Sequence, residues 1–535
     1  MQVCFNKNSI YKTNISDIKK NIPKIYKIDK NMDITRIKYP AYIDKIQTPE
    51  KAALLIKNHH VLGVSGFTKA GDSKSVLPKV AERALHEELK VTVLSGASLG
   101  YDTDADLAKN GALYKRMPFQ ADPTLRNSIN NHEVLYVDQH LGQTADMLQN
   151  IDKFNIDIAI IEAVSITQEG YIIPTTSVGN SPAFTEHADK IIIEINTIFP
   201  ESLAGIHDVR FLKKQPNRDV IPILNSDTRI GLPYIKIDPK KVAAIVFTEV
   251  PDSPAVISAP DEKTTAISKH ILQFLEKEVD EDRLTESLLP LQAGIGKTAN
   301  AILSGFKHSR FKNLTMYSEV LQDSTFELFD SGKLTFASAS SITITEPCSN
   351  KVFNNFDKYK DKLLLRPQNI SNSAEVISRL GIIGINTAIE FDIYGNVNST
   401  HIGGTKMMNG IGGSGDFARN SYLSFFVSPS ISKEGRISHI VPMVSHTDHT
   451  EHDVDILVTE QGLADIRGLA PIERARIIIE NCVHPNYKNQ LLEYFEEAYK
   501  LGGHTPHVLE KAFNWHTQLK AHGTMKKNEI IDNLV

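Results

Sequence analysis

Cysteine is scarce in this chain: three in 535 residues, at positions 4, 348 and 482. An odd number so widely scattered excludes a disulfide framework and points to a reducing compartment. No apolar run approaches the roughly 18–20 residues of a membrane-spanning helix. The longest, 156–164 and 191–195, carry acids within or beside them and read as buried strands. A surplus of one charge is also missing. Lys and Arg number 59 against 64 Asp and Glu, a net charge of -5, and no basic stripe interleaves with aromatics. Nucleic acid and membrane are therefore excluded as partners, and small molecules are expected. Tryptophan occurs once, and Trp515 stands among Leu509, Ala512 and Phe513 in an amphipathic C-terminal stretch, where it reads as core.

What is present is an ordinary globular composition, 41% hydrophobic and 23% charged, on a chain too long for one core. Residues 1–30 form a basic extension in which Lys7, Lys12, Lys19, Lys20, Lys24 and Lys27 face only Asp17 and Asp29. It lacks the apolar centre of a secretory signal. A solvated tail on a cytoplasmic protein is one reading, and a lysine-rich leader to a mitochondrion or hydrogenosome-like organelle is the other. Two domains are expected after it, 31–250 and 251–535, divided at the proline- and acid-rich segment Pro251 to Lys263.

The pattern from Val61 predicts a strand (61–64), a glycine-rich turn (Ser65 to Gly71), an amphipathic helix (76–89) with Leu77, Val80, Ala81, Ala84 and Leu85 on one face, and a strand (91–94). The same order recurs from Leu288: strand (288–292), glycine turn, helix (299–306), strand (314–317). A second match pairs Ile161-Glu162 and the following Pro174 to Gly179 with Ile389-Glu390 and the following Asn398 to Gly403. The fold class is therefore α/β, with two related open domains, mostly parallel sheets and a cleft between them. The copies diverge in one respect. The strand after the first glycine turn runs into Ser95-Gly96-Ala97-Ser98, and that after the second into Ser318-Glu319, so only the second half offers a carboxylate.

The second glycine turn, Gly294-Ile295-Gly296-Lys297-Thr298-Ala299, carries phosphate-binding character. A P-loop requires a glycine five positions before Gly296, where Leu291 stands. A dinucleotide fingerprint keeps its G-x-G-x-x-A spacing and a later acid, which leaves a nicotinamide-dependent dehydrogenase open as an alternative. Downstream, Asn409-Gly410-Ile411-Gly412-Gly413-Ser414-Gly415-Asp416 frees several backbone N–H groups to face one oxyanion. Asn372 and Glu460 sit in polar turns beside apolar strands and supply an amide donor and a second carboxylate. His446, His449 and His452 have spacing that would suit a metal on a helix. They lie between two strand-like runs, 440–444 and 454–458, so the segment reads as a hydrogen-bonded loop and no metal is assigned.

From about residue 34 to 520 the chain resembles the acetyl-CoA hydrolase/transferase family of class I CoA-transferases, the succinyl-CoA:acetate CoA-transferases above all. The resemblance rests on Ser65-Gly66-Phe67-Thr68, Gly294-Ile295-Gly296, Tyr317 to Asp323, Asp392 to Thr400, Asn409 to Asn420, Val441 to His446 and Thr459 to Gly462, in that order. It implies that Glu319 attacks an acyl-CoA thioester to give an acyl-glutamyl anhydride and then a glutamyl-CoA thioester. Asn372 and the Gly413 N–H would be oxyanion donors and Glu460 a second active-site glutamate. Gly294, Ile295, Gly296, Lys297, Thr298, Ile389, Asn409, Gly413 and Lys433 would contact CoA, and Ser98 and Arg229 would hold the carboxylate. It further implies acyl-CoA and short-chain carboxylates as partners, a homodimer, and no cofactor beyond coenzyme A as substrate. Transfer between succinyl-CoA and acetate is the leading expectation. The alternatives are acetyl-CoA hydrolysis, a propionyl, butyryl or 4-hydroxybutyryl pair, and a CoA-binding scaffold without turnover.

Overall fold

The computed structural model describes residues 32–151, 155–256 and 259–526; the basic extension 1–30 and Cys4 lie outside them. The first half is built on strands β1 (Val61–Val64), β2 (Val91–Leu94), β3 (Leu113–Met117), β4 (Leu135–Tyr136), β5 (Ile156–Ile166), β6 (Ile172–Pro174), β7 (Ala188–Asn196) and β8 (Val242–Thr248). They run β4-β3-β2-β1-β5-β7-β8, all neighbours parallel, with β6 returning antiparallel along the end of β5. The second half uses β9 (Leu291–Ala293), β10 (Leu314–Tyr317), β11 (Leu334–Ala339), β12 (Leu363–Leu365), β13 (Ile383–Thr387), β14 (Leu423–Val427), β15 (Ile456–Thr459) and β16 (Gly462–Asp465). Their order is β12-β11-β10-β9-β13-β14-β15-β16, parallel except for the last pair. The two sheets thus share one winding, reversing at β1/β5 and at β9/β13.

The repeat extends to the hairpin that the paired Ile-Glu motifs predict. In the first half β5 runs unbroken through Glu162 before turning back into β6. In the second, the strand breaks after Thr387 and resumes as 390–392, which pairs antiparallel with Val397–Asn398. Strands that are buried on both faces read as continuous aliphatic runs, and β5 and β7 do so. One cluster of buried apolar side chains runs through both halves, from Ile161 and Ile193 to Met316 and Phe425. The C-terminal helices Pro471–Cys482, Pro485–Leu501 and Asn514–His522 enclose a second cluster. There Trp515 is buried, its ring centroid 5.2 Å from that of Tyr487.

Two boundaries depart from the sequence pattern. The first helix ends at Arg83, six residues before the predicted 89, so Leu85 is exposed rather than on the buried face. Its last turn is tied to the preceding chain, because the Arg83 guanidinium donates to the carbonyls of Ala53 and Ile56. The second helix, Lys297–Gly305, starts two residues before the predicted 299, since Gly296 at φ 118 reverses the chain directly into it. No helix among the described residues is long and apolar enough to cross a membrane.

Candidate active site

In an open doubly wound sheet, ligands bind beyond the carboxyl ends of the strands where the winding reverses. In the second half that point lies between β9 and β13. A cavity of about 140 Å³ opens there, lined by Ala293, Gly294 and Ile295 after β9 and by Asn386 and Thr387 at the end of β13. Glu319 reaches it from the turn after β10, and the run Asn409 to Ser414 forms its opposite wall. The first half closes the front with Phe67, Ala97, Phe119 and Leu141, so the site is completed across the cleft. Glu319 is the one charged side chain lining this cavity.

Glu319 is 9% exposed. Its backbone is fixed, the carbonyl accepting from the N–H groups of Ser340 (2.8 Å) and Ser341 (3.2 Å). Its Oε1 accepts a hydrogen bond from Asn372 Nδ2 at 2.5 Å. Burial pushes the carboxyl up to about 8; the Asn372 bond opposes this and the nearby Asp416 charge adds to it. Gly413 lies against the carboxylate so closely that a Cβ there would stand 1.6 Å from Oε1 and 2.5 Å from Asn372 Nδ2. Its own φ of -94 is open to any residue, so the need for glycine is close approach and not backbone strain. In the first half the position two past the strand end is Gly96, where a Cβ would meet the Gly66 carbonyl at 2.4 Å and the Phe67 ring at 3.0 Å. The Gly66 carbonyl, with Phe67 beside it, therefore denies that half a side chain where the other carries its glutamate.

The glycine turn is fastened to the Glu319 loop by one side chain. Gln322 donates through Nε2 to the Gly294 carbonyl (2.9 Å) and accepts at Oε1 from the Gly296 N–H (3.1 Å). The wall opposite is held by the first half: Tyr136 donates to the Asn409 carbonyl (2.9 Å), Asp138 accepts from the Ile411 N–H (2.9 Å), and Leu141 N–H donates to the Gly412 carbonyl (3.3 Å). The amide of Asn409 leaves Oδ1 buried without a protein partner. Thr68 and Lys69 carry φ values of 50 and 69, which L residues adopt under constraint. The constraint is visible in Lys69 N–H bonding the Ser98 carbonyl at 3.0 Å and Gly71 N–H bonding Asp252 at 2.9 Å, and it sets Phe67 into the wall.

Of the residues singled out from sequence, Glu319, Asn372, Gly413, Gly294, Ile295, Gly296 and Asn409 meet at this cavity or beside it. The others stand elsewhere. Ser98 is buried behind Ala97, its carbonyl held by Lys69. Arg229 donates to the carbonyls of Gly205 (2.6 Å) and His207 (3.2 Å), outside the cavity lining. Lys297 pairs with Asp261 at 2.8 Å, Thr298 lies on the first turn of the helix, and Lys433 is exposed on a hairpin at 431–438. Ile389 is half-buried, its N–H on the Asn398 carbonyl at 2.9 Å. Glu460 is bonded to Ser430, from the N–H at 2.7 Å and the hydroxyl at 2.5 Å. Burial alone would raise Glu460, but these bonds outweigh it and hold the carboxyl below the usual range, opposite to Glu319.

The histidine segment is a loop of turns and bends. His446 stacks on His401 with centroids 3.9 Å apart, and His449 is buried against Phe426 with Nε2 3.0 Å from Ser414 Oγ. Among the described residues no group of three or more His, Cys, Asp or Glu is arranged to hold a metal ion. Sequence reasoning missed the apolar front wall and Gln322. The latter stands in the quoted run Tyr317 to Asp323, three residues after the glutamate, but nothing in its type marked it as the clasp of the glycine turn.

This geometry sets a sequestered carboxylate beside a donor amide and a glycine face at the switch point of a duplicated α/β fold. The models of the acetyl-CoA hydrolase/transferase N-terminal and C-terminal domains match residues 28–247 and 348–495, and the chain belongs to that family. It is 49% identical over 486 residues, 90% of each chain, to a succinyl-CoA:acetate CoA-transferase of Clostridium kluyveri. To an acetyl-CoA hydrolase of Schizosaccharomyces pombe it is 45% identical over 512 residues, 92% of this chain and 98% of the other. The solved structure of a 4-hydroxybutyrate CoA-transferase from Porphyromonas gingivalis superposes with a TM-score of 0.60 at 18% identity, covering 85% of this chain and 98% of that one, and carries the same fold. The protein is an enzyme of the CoA-transferase/hydrolase class.

Proposed function

We propose that this enzyme moves CoA between a short-chain acyl-CoA and a carboxylate, with succinyl-CoA and acetate as the pair, through a glutamyl-CoA thioester on Glu319. The observation that carries the reading is the Glu319 carboxylate, buried at the switch point against Asn372 and Gly413. In the ionised form its oxygen attacks the thioester carbonyl, and the C–S bond breaks to release CoA thiolate. The thiolate then attacks the glutamyl carbonyl of the resulting anhydride, the first acyl group leaves as a free carboxylate, and CoA remains on Glu319. An acceptor carboxylate reverses both steps. A desolvated carboxylate is a stronger nucleophile than one in water, and covalent catalysis divides one difficult transfer into easier ones. Asn372 and the Gly413 N–H are the donors for the developing oxyanion, each worth about 3–4 kcal/mol. Glu460, bonded to Ser430 away from this cavity, is given no step. The pair is supported by the Clostridium relative.

Hydrolysis is the second reading, favoured by the name of the Schizosaccharomyces relative. Water then takes the acceptor's place at the thioester. One experiment tests the covalent reading and separates the outcomes. Incubation with acyl-CoA and no acceptor is expected to leave the thioester, which borohydride reduces where a carboxylate resists; activity is lost and the peptide spanning Tyr317 to Gln322 changes mass. Prior acetate protects. Equal inactivation with and without acyl-CoA, or full turnover by Glu319→Ala, would refute the mechanism, and CoA release at full rate without any carboxylate would make the enzyme a hydrolase.

A further inference from the structure

We infer that Asp416 is a positioning residue for the reaction: through the two N–H bonds of one amide it fixes which face Asn372 presents to Glu319, and it ties that amide to the opposite half of the molecule. The inference rests on the reading of Glu319 as nucleophile. Asn372 Nδ2 donates to Glu319 Oε1 at 2.5 Å and to Asp416 Oδ2 at 3.0 Å, so a single NH₂ group bridges two carboxylates. The amide oxygen is engaged on the other side, accepting from Ser371 Oγ at 2.8 Å. Rotating the amide by half a turn would set its oxygen against both carboxylates and leave the Ser371 hydroxyl facing an NH₂ group. Asp416 thereby holds the donor toward the site before any substrate arrives, the preorganisation that an oxyanion donor requires. The same Asp416 Oδ2 accepts the Gly142 N–H at 2.9 Å. Gly142 belongs to the segment whose neighbour Leu141 closes the front of the cavity. The wall that confines the acyl group and the amide that polarises it are thus joined through one oxygen.

The groups facing Asp416 are Asn372 and Glu319 from the second half, and Gly142 and His140 from the first; His140 in turn faces His449. A Cβ on Gly415 would meet the His140 ring at 2.2 Å, which shows how tightly that ring closes on the short helix Ser414–Ala418. Burial raises Asp416 above the usual carboxylate range, and its charge is one of the causes that raise Glu319.

Asp416→Asn keeps an oxygen for both hydrogen bonds and removes only the charge; Asp416→Ala removes both. In the full-length enzyme, Asp416→Asn is expected to move the acid limb of the kcat/KM profile to lower pH by roughly 0.5–1 unit. Asp416→Ala is expected to lower kcat about 100-fold with KM for acyl-CoA within about twofold. An acid limb unmoved in Asp416→Asn, or a kcat loss in Asp416→Ala matched by a rise in KM, would overturn the proposal. A readout independent of turnover separates its failure from that of the nucleophile assignment. The pH at which the melting-temperature difference between wild type and Glu319→Gln stops growing should fall when both carry Asp416→Asn. If Glu319→Ala stays active, the nucleophile reading fails while this titration still reports on Asp416; if Glu319→Ala is dead and the titration does not move, only the positioning role is lost.

Discussion

Replacing Glu319 by Gln should stabilise the protein, and by an amount that grows with pH. The neutral amide preserves the shape of the side chain and an oxygen for Asn372 Nδ2, but cannot ionise. In the wild type the carboxyl titrates at about 8 in the folded chain because burial penalises its charged form, against an ordinary value of 4.5. Below pH 4.5 the group is protonated folded and unfolded, and its contribution to stability is fully present. Between 4.5 and 8 the unfolded chain has lost the proton that the folded chain retains, so wild-type stability falls by about 1.4 kcal/mol per pH unit. The loss is complete above 8, where it reaches about 5 kcal/mol. At roughly 2.1 cal/mol/K per residue, a chain of this length has an unfolding entropy near 1.1 kcal/mol/K, so the difference amounts to about 4 °C in Tm. Thermal melts of both proteins from pH 5 to 9 should show curves that nearly coincide at pH 5 and separate steadily, the variant melting higher. A separation that is constant with pH, or of opposite sign, would refute the assignment of Glu319 as a carboxylate strained by burial.

Lys74→Met should lower stability by about 3–5 kcal/mol, since it leaves Asp72, Glu162 and Asp252 buried around a missing cation; calorimetry showing an unchanged Tm would contradict this. Ala97→Val narrows the front of the cavity and should cut kcat/KM for a four-carbon acyl-CoA at least about tenfold more than for acetyl-CoA, and equal losses on both would remove Ala97 from the acyl wall. Exhaustive chelation should leave activity and Tm unchanged, because His446 and His449 are engaged with Asp448 and Ser414; loss of either with stoichiometric metal removed would restore a metal role to that loop.

Strands β1, β2 and β10 were legible to the residue because apolar runs bounded by turn residues have few other destinations. The duplicated winding was legible for the same reason, and so was the asymmetry at Gly96 and Glu319. Helix ends were not. The first helix stops at Arg83 through a guanidinium bond to carbonyls some thirty residues earlier, a tertiary constraint that no local spacing encodes. At the site, the residues marked by chemical type (Glu319, Asn372, Gly413) lie together, whereas the front wall carried no such mark. Phe67, Phe119 and Leu141 are ordinary apolar residues whose meaning comes only from the closure of one half on the other. Arg229 shows the converse: a cation that looks apt for a carboxylate in sequence serves here to bind the carbonyls of its own chain.

The first half has the same switch point as the second, between β1 and β5, yet no substrate is needed to fill it. Lys74 Nζ stands there, 2.7 Å from Glu162 of β5, 2.9 Å from Asp252 and 3.5 Å from Asp72. Ser65, the residue after β1, donates to the Gly71 carbonyl at 2.8 Å and accepts from the Glu162 N–H at 2.8 Å. The chain has placed its own cation and anions where its twin leaves a cavity for a ligand. Because Asp252 belongs to the segment leading into the second half and also receives the Gly71 N–H, this filled crevice sets the angle at which the strained loop delivers Phe67 to the other crevice. A duplicated architecture with two equal pockets would have to coordinate two ligands. Here, among the described residues, one copy fills its crevice with its own charges and serves as the mould against which the other closes.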